Sequence, residues 1–157
     1  MDYKNTIITP KTDFPMKAGL PAREPGMLKA WQDMDLYNAM LEKNKELPPF
    51  VLHDGPPFSN GYIHMGHALN KTLKDFIVRS HAMMGYYTPY VPGWDTHGLP
   101  VELGVEKKLG ITKEDIGTKI SIEEYNRTCR EAVMEFTGVW ENLTRRMGYW
   151  VNMDDPY

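Results

Sequence analysis

Apolar residues along this chain pass from scattered, to helically spaced, to short runs closed by proline and glycine, and these changes place the elements. Over residues 1–26, Pro10, Pro15, Pro21 and Pro25 interrupt any helical pattern, which predicts an extended, irregular segment draped over a core. From Met27 to about Asn44, Leu28, Trp31, Leu36 and Met40 fall near helical spacing, and Pro48-Pro49 stops the pattern. Phe50 to Leu52 is apolar on both faces and ends in Asp54-Gly55-Pro56-Pro57, as a buried parallel strand would. Helical spacing resumes at Gly66 through Leu69, Leu73, Phe76, Ile77 and Met84, with Gly85 as a left-handed cap. A second strand is predicted around Tyr87 to Val91, closed by another Pro/Gly turn.

Strand, turn, helix and strand over residues 50–91 form a βαβ unit, whose crossover is right-handed in nearly every known case. Ligands of such sheets bind at the carboxyl ends of the strands. The turns DGPPFSNG and PGWDTHG each follow a predicted strand, so they should lie side by side at that edge. Farther on, Ser121 to Met147 reads as one helix. Ser121 with Glu124 makes a capping box, and Ile122, Tyr125, Cys129, Phe136, Trp140, Leu143 and Met147 form a stripe that packs over the sheet. Cys129 on that stripe is expected to be a buried thiol. Lys107, Lys108, Lys113, Glu114 and Asp115 read as solvated surface.

Composition narrows the class without naming a function. The chain has 157 residues, enough for one well-buried domain and too few for two large ones. Its 41% hydrophobic and 25% charged residues are those of an ordinary globular protein, and a formal charge of −3 carries no nucleic-acid signature. A single cysteine excludes intramolecular disulfides and CxxC zinc sites, which points to a reducing, cytoplasmic home. No stretch approaches the roughly 18 apolar residues of a membrane span. The N-terminus, Met1-Asp2-Tyr3-Lys4, lacks an apolar secretory core, so the Asn-x-Thr triplets at Asn70, Asn126 and Asn142 read as chance.

The chemistry-bearing stretch is NGYIHMGHALN, with His64 and His67 on either side of Gly66 at a helix start. A metal site is one rival. His53, His81 and His97 exist, yet no third ligand stands at a recognised spacing, and there is no HExxH. A plain polar helix start is the other. The context favours a phosphate cradle: the first helical turn leaves N–H groups unpaired and carries partial positive charge. Gly66 removes a Cβ from the approach to the backbone, and two imidazoles add donors. Neither GxGxxG nor GxxxxGK[ST] occurs. With no activated Ser or Cys in view, the fitting chemistry is substitution at phosphorus, with each histidine worth roughly 10²-fold in rate by analogy with oxyanion donors. Asp95, in the second turn, would repel a nucleotide and makes sense as the grip for a substrate ammonium, though a turn or capping role remains open. His97 is divided between turn packing and lining a site, and Trp94 reads as core.

PPFSNGYIHMGH, Pro56 to His67, resembles the signature block of class I aminoacyl-tRNA synthetases, whose HxGH is here His64-Met65-Gly66-His67. PYVPGWDTHGLPVE, Pro89 to Glu102, is similar to the isoleucyl branch of that family, where valyl and leucyl relatives carry different turns. Thr12 to Gln32 also resembles that branch's N-terminal extension. The resemblance implies an α/β fold, a Rossmann-like parallel sheet with flanking helices. Residues 1–47 would be an irregular and helical extension, and 48–157 the first half of the catalytic domain. It implies ATP with Mg2+ as substrate, isoleucine as the activated amino acid, and tRNA(Ile) as acceptor, with no metal site and no membrane. His64 and His67 would be catalytic and, with Gly66, Phe58 and Asn60, bind ATP; Gly55, Pro56 and Asp95 would bind the amino acid.

The chain departs from the family in lacking a Lys-Met-Ser-Lys-Ser segment, the editing insertion and an anticodon-binding domain. It is therefore expected to be a fragment holding half of an active site, marginally stable or self-associating because half a sheet exposes an edge and an apolar face. A synthetase-like module without catalytic activity is the alternative, and another class I specificity a third. One methylene in an apolar pocket discriminates only about 10- to 200-fold, so rejection of valine would be incomplete here.

Overall fold

The computed structural model describes residues 3–8, 11–13 and 15–157. Met1, Asp2, Pro10 and Phe14, which entered the sequence reading, lie outside the described residues. The helices are α1 (Leu20–Asp33), α2 (Leu36–Asn44), α3 (Met65–Met83), α4 (Leu99–Leu109), α5 (Ile122–Val133) and α6 (Thr137–Arg146). Single 3-10 turns occupy Lys4–Thr6 and Lys113–Asp115.

Helix α1 begins earlier than the prolines suggested. Pro21 sits in the first turn, where no intrahelical N–H bond is required, and Pro25 forfeits only the bond to the Pro21 carbonyl. The long helix predicted over 121–147 is two helices. The Ser121 hydroxyl accepts the Glu124 N–H at 3.1 Å, half of the predicted capping box, and α5 then ends at Val133. Buried Ser59 donates to the Val133 carbonyl at 2.6 Å, and Thr137 donates to the Met134 carbonyl at 2.9 Å. Side chains thus take carbonyls that a continuous helix would use, and Gly138 adds a weak helix former. Helix α4 was not foreseen. It opens with Pro100 in its first turn, ends at Gly110 in the left-handed region, and buries Val101 and Val105 against α5.

The predicted strands do not form ladders. Among the described residues, pairing is limited to isolated parallel bridges, Pro49 with Tyr87 and Phe58 with Asp95, and a local one between Ile116 and Ile120. Phe50 N–H donates to Tyr87 O at 2.8 Å, Tyr87 N–H to Pro48 O at 3.0 Å, and Asp95 N–H to Pro57 O at 2.9 Å. On the other flank, Asn152 N–H reaches Tyr90 O at 3.1 Å and Trp94 N–H reaches Tyr157 O at 2.9 Å. The direction is parallel, as expected, but a sheet is not formed. Pro48, Pro49, Pro56, Pro57, Pro89 and Pro92 all lack the N–H that a ladder needs.

The core is small and shared among helices and loops: Val78 and Ala82 of α3, Val101 and Val105 of α4, Tyr125 and Val133 of α5, Trp140 of α6, and Tyr90 and Val151. Polar contacts tie these parts together. Asn44, buried at the end of α2, donates to Ala82 O (3.1 Å) and Tyr86 O (2.9 Å), satisfying carbonyls at the end of α3. Asp75 pairs with Arg79 at 2.7 Å and accepts the Trp150 N–H at 3.1 Å. Arg79 donates to Gly148 O at 2.7 Å and stacks over Trp150, 4.2 Å from its ring centroid. Gly148 adopts φ +66°, and a Cβ there would meet Leu28 at 2.8 Å, so α1 packs against bare backbone.

The outer face of α3 carries Met65, Leu69, Leu73 and Phe76, which are 82, 61, 52 and 63% exposed. No helix among the described residues is long and apolar enough to cross a membrane. Stability should therefore be sensitive to the buried polar tie and indifferent to this stripe. Asn44→Ala is expected to cost about 1–3 kcal/mol in urea denaturation, because the Tyr86 carbonyl loses its donor and the Ala82 carbonyl keeps the Gly85 N–H. Phe76→Gln is expected to stay within about 0.5 kcal/mol of the parent. A larger loss from Phe76→Gln than from Asn44→Ala would mean that the stripe is covered in solution.

Candidate active site

The histidine pair is built by helix capping. His64 is the N-cap of α3, with extended backbone, and its Nδ1 accepts the Gly66 N–H at 3.1 Å. In return the His64 N–H donates to His67 Nδ1 at 3.3 Å, closing a reciprocal capping box made of imidazoles. The rings stack at 3.8 Å with an interplanar angle of 29°. With Nδ1 accepting in both, each neutral ring carries its proton on Nε2, leaving two N–H donors at the start of one helix. Gly66 is required by this arrangement itself. A Cβ there would lie 2.9 Å from His64 Cε1 and 3.0 Å from its Nδ1, within the imidazole's own space.

Behind the pair, His67 packs against Trp140 at 4.7 Å, and Trp94 meets the same indole edge-on at 6.2 Å. The Trp140 Nε1–H donates to Gly61 O at 2.9 Å, pinning the loop before α3. Burial first, then the charges of His64 and Lys71, hold the His67 pKa below the ordinary 6.5. Both the capping bond and the environment thus favour neutral imidazole.

A cavity of about 620 Å3 opens beside these residues. Its walls include Gly55, Pro56, His67, Trp94 and Trp140, so residues of both turns and of the helix start share it. His64, Gly66, Phe58, Asn60 and Asp95 are not on those walls. Phe58 and Asp95 are the two sides of a parallel bridge, which brings the turns into direct contact. The Asp95 Oδ1 accepts the His97 N–H at 3.2 Å, the turn role left open by the sequence; among the described residues its Oδ2 accepts no hydrogen bond. His97 is exposed, its Nδ1 3.1 Å from the Thr96 hydroxyl. Among the described residues no group of three His, Cys, Asp or Glu is placed to hold a metal. His81 is stacked on Phe50 at 3.6 Å, and Cys129 is half-buried, its thiol pushed up chiefly by burial.

Sequence reasoning missed the polar floor of this cavity: Asp54, Lys71, Lys74, Tyr90 and Tyr149. Lys74 forms an ion pair with Asp54, and the Tyr90 hydroxyl donates to Asp54 Oδ2 at 3.1 Å. Burial raises the Tyr90 pKa to about 12. A signal existed for the lysines, since Lys71 and Lys74 follow His67 by four and seven residues and so share its helix face. None existed for Trp140 or Tyr149, which arrive from a distant helix and the loop after it.

Two outcomes follow from the capping geometry. In an NMR pH titration His67 should titrate below 6.5. Its folded value lies below its unfolded one, so its contribution to stability is complete above about pH 6.5 and shrinks as pH falls. A midpoint above 6.5 would exclude the neutral capping role. Gly66→Ala should fail to deliver the gain of about 1 kcal/mol that alanine brings to a helix, because the His64 ring must leave its cap.

Comparison with known proteins follows the same lines. Residues 26–157 match the family described as tRNA synthetases class I (I, L, M and V). Over all 157 residues the chain is 50% identical to an isoleucine–tRNA ligase of Staphylococcus carnosus (strain TM300) and 51% identical to that of Staphylococcus aureus (strain JH9). All of this chain is covered in both comparisons, but only 17% of either relative. Among solved structures, the LeuRS of Agrobacterium radiobacter K84 in a ternary complex with tRNA and LeuAMS superposes with a TM-score of 0.57. That match is 18% identical and covers 86% of this chain and 15% of that one, a likeness of fold. With the HxGH cap, the two joined turns and a family match over residues 26–157, this chain belongs to the class I tRNA synthetases.

Proposed function

We propose that this chain supplies the HxGH half of a catalytic centre that activates isoleucine with MgATP and passes it to tRNA(Ile). The observation that carries the reading is the imidazole pair capping α3, with His67 on the wall of a cavity shared with Gly55, Pro56 and Trp94. Identity near 50% to isoleucine–tRNA ligases along the whole chain supports the choice of amino acid. In the reaction a carboxylate oxygen of isoleucine attacks the α-phosphorus of ATP. The bond to the β-phosphate breaks and pyrophosphate leaves. Magnesium enters with ATP and supplies charge neutralisation on the phosphates.

On this reading residues 1–47 form the extension and 48–157 begin the catalytic domain. The isolated parallel bridges at Pro49 and Phe58 mark where strands of a Rossmann-like sheet would pair in the complete domain. His64 and His67 direct Nε2–H groups at phosphate oxygens as charge grows on them. Gly66 keeps the cap clear, and Phe58 and Asn60 border the nucleotide. Gly55 and Pro56 line the amino-acid side, and the unpartnered Asp95 Oδ2 receives the substrate ammonium. Neutral histidines suit the task because they donate to phosphate without needing a proton first.

Calorimetric titration of the chain with a non-hydrolysable isoleucyl-adenylate mimic tests this. Binding is expected, weakened about tenfold in His67→Ala and between about tenfold and a hundredfold in Asp95→Ala, where a charged hydrogen bond is lost. In the intact enzyme, pyrophosphate exchange should fall about 10²-fold in His67→Ala. Equal binding of valyl and leucyl mimics would rule out the isoleucine assignment. Absence of binding would leave a synthetase-like module without the activity.

A further inference from the structure

The charged residues on the cavity wall do not balance. Asp54 is the one carboxylate among them, facing the two ammonium groups of Lys71 and Lys74. Its Oδ2 is already engaged by Lys74 and by the Tyr90 hydroxyl. Among the described residues Lys71 has no carboxylate within ion-pair distance and donates no hydrogen bond. Its ammonium lies instead over two aromatic faces, 5.8 Å from the Trp140 ring centroid and 5.3 Å from that of Tyr149. Two such faces offset part of the cost of partial burial but leave the three N–H donors unused. Lys71 stands one helical turn beyond His67, on the same face of α3 and the same cavity wall. A cavity of about 620 Å3 is within the range that holds small organic ligands.

We propose that Lys71 is a substrate-binding residue, whose ammonium receives an oxyanion of the ligand that enters this cavity. The inference rests on the synthetase reading for the identity of that ligand, and there the oxyanion is either the isoleucine carboxylate or the α-phosphoryl group. The aromatic pair holds the ammonium in place before the ligand arrives, so little side-chain entropy is lost when the charge-assisted hydrogen bond forms. His67 and Lys71 then act on one ligand from successive turns, the imidazole as a neutral donor and the lysine as the fixed charge. Burial, followed by repulsion from Lys74, lowers the Lys71 pKa, while Asp54 acts in the opposite sense, as an arriving anion would.

Competitive acetylation of the unmodified chain, read lysine by lysine by mass spectrometry, tests this with three probes. These are inorganic pyrophosphate, isoleucine, and isoleucinol adenylate, which keeps the α-phosphate and lacks a carboxylate. Selective protection of Lys71 is expected. Protection by isoleucine alone assigns the carboxylate, and protection by isoleucinol adenylate assigns the phosphoryl group. Lys71→Met, which keeps the aliphatic packing, should bind the protecting probe about tenfold more weakly, and Lys71→Arg should restore most of the loss. If isoleucinol adenylate binds by calorimetry but no probe slows acetylation of Lys71, the proposal is overturned and the synthetase reading stands. If pyrophosphate protects Lys71 while neither the amino acid nor the adenylate binds, the anion site stands and the synthetase reading fails. Failure of all three probes to protect Lys71 overturns the proposal whatever the variants do.

Discussion

The site depends on one buried side chain, Trp140. Its indole is 2% exposed and is touched from every direction that matters. His67 packs on it from the start of α3, Trp94 meets it from the second turn, and Lys71 lies over its ring. Its N–H holds the Gly61 carbonyl in the loop before the histidines. Loss of a buried tryptophan costs about 3–5 kcal/mol in general. Here that energy is spent at the junction of three segments distant in sequence, so the same contact that stabilises the fold also sets the geometry of the site.

The histidine pair shows how a helix start can present two side-chain donors while satisfying its own backbone. Each ring uses Nδ1 to satisfy a backbone N–H that the helix leaves unpaired, and this fixes the tautomer that presents Nε2–H outward. The cap is what the structure shows, and under the proposed function the same geometry would serve as a phosphate cradle. The capping role is what aims the donors. Glycine between the histidines follows from the same packing, since the His64 ring occupies the place of a Cβ. The sequence reading assigned that glycine to the approach of a nucleotide; the ring contact accounts for it before any ligand is considered.

Legibility in the sequence was uneven, for identifiable reasons. Helix α3 and its boundaries were readable because the apolar spacing, the turn before it and Gly85 all agreed, whereas the capping by its histidines was not foreseen. The break between α5 and α6 was hidden because Cys129 and Phe136 are seven residues apart, two full turns, so the stripe continues across a gap made by Ser59 from another segment. Helix α4 escaped because its glycine-rich start and lysine-rich end resemble a solvated loop, while only Val101 and Val105 are buried. The strands were over-read because apolar character reports burial, whereas a ladder also needs N–H groups that six prolines withhold. Of the site, the two turns and the helix start were found from local residue types. The Asp54–Lys74 pair, Lys71 and the aromatic floor required knowing which segments meet.

Helix α3 is oriented against the usual rule, and the orientation has a chemical reason. His67, Lys71, Lys74, Asp75 and Arg79 lie on the side that faces the cavity and the core, whereas Met65, Leu69, Leu73 and Phe76 face outward. For a globular helix the apolar stripe would be buried and the charges solvated. The inward charges are tolerated because each has a compensating contact: Asp54 for Lys74, Asp75 and two indoles for Arg79, and two aromatic faces for Lys71. Replacing them with leucines would remove the polar wall of the cavity, which the proposed anionic ligand would need. Helix α3 is therefore held by ion pairs, aromatic contacts and the Asn44 tie as well as by the buried Val78 and Ala82 of its C-terminal half.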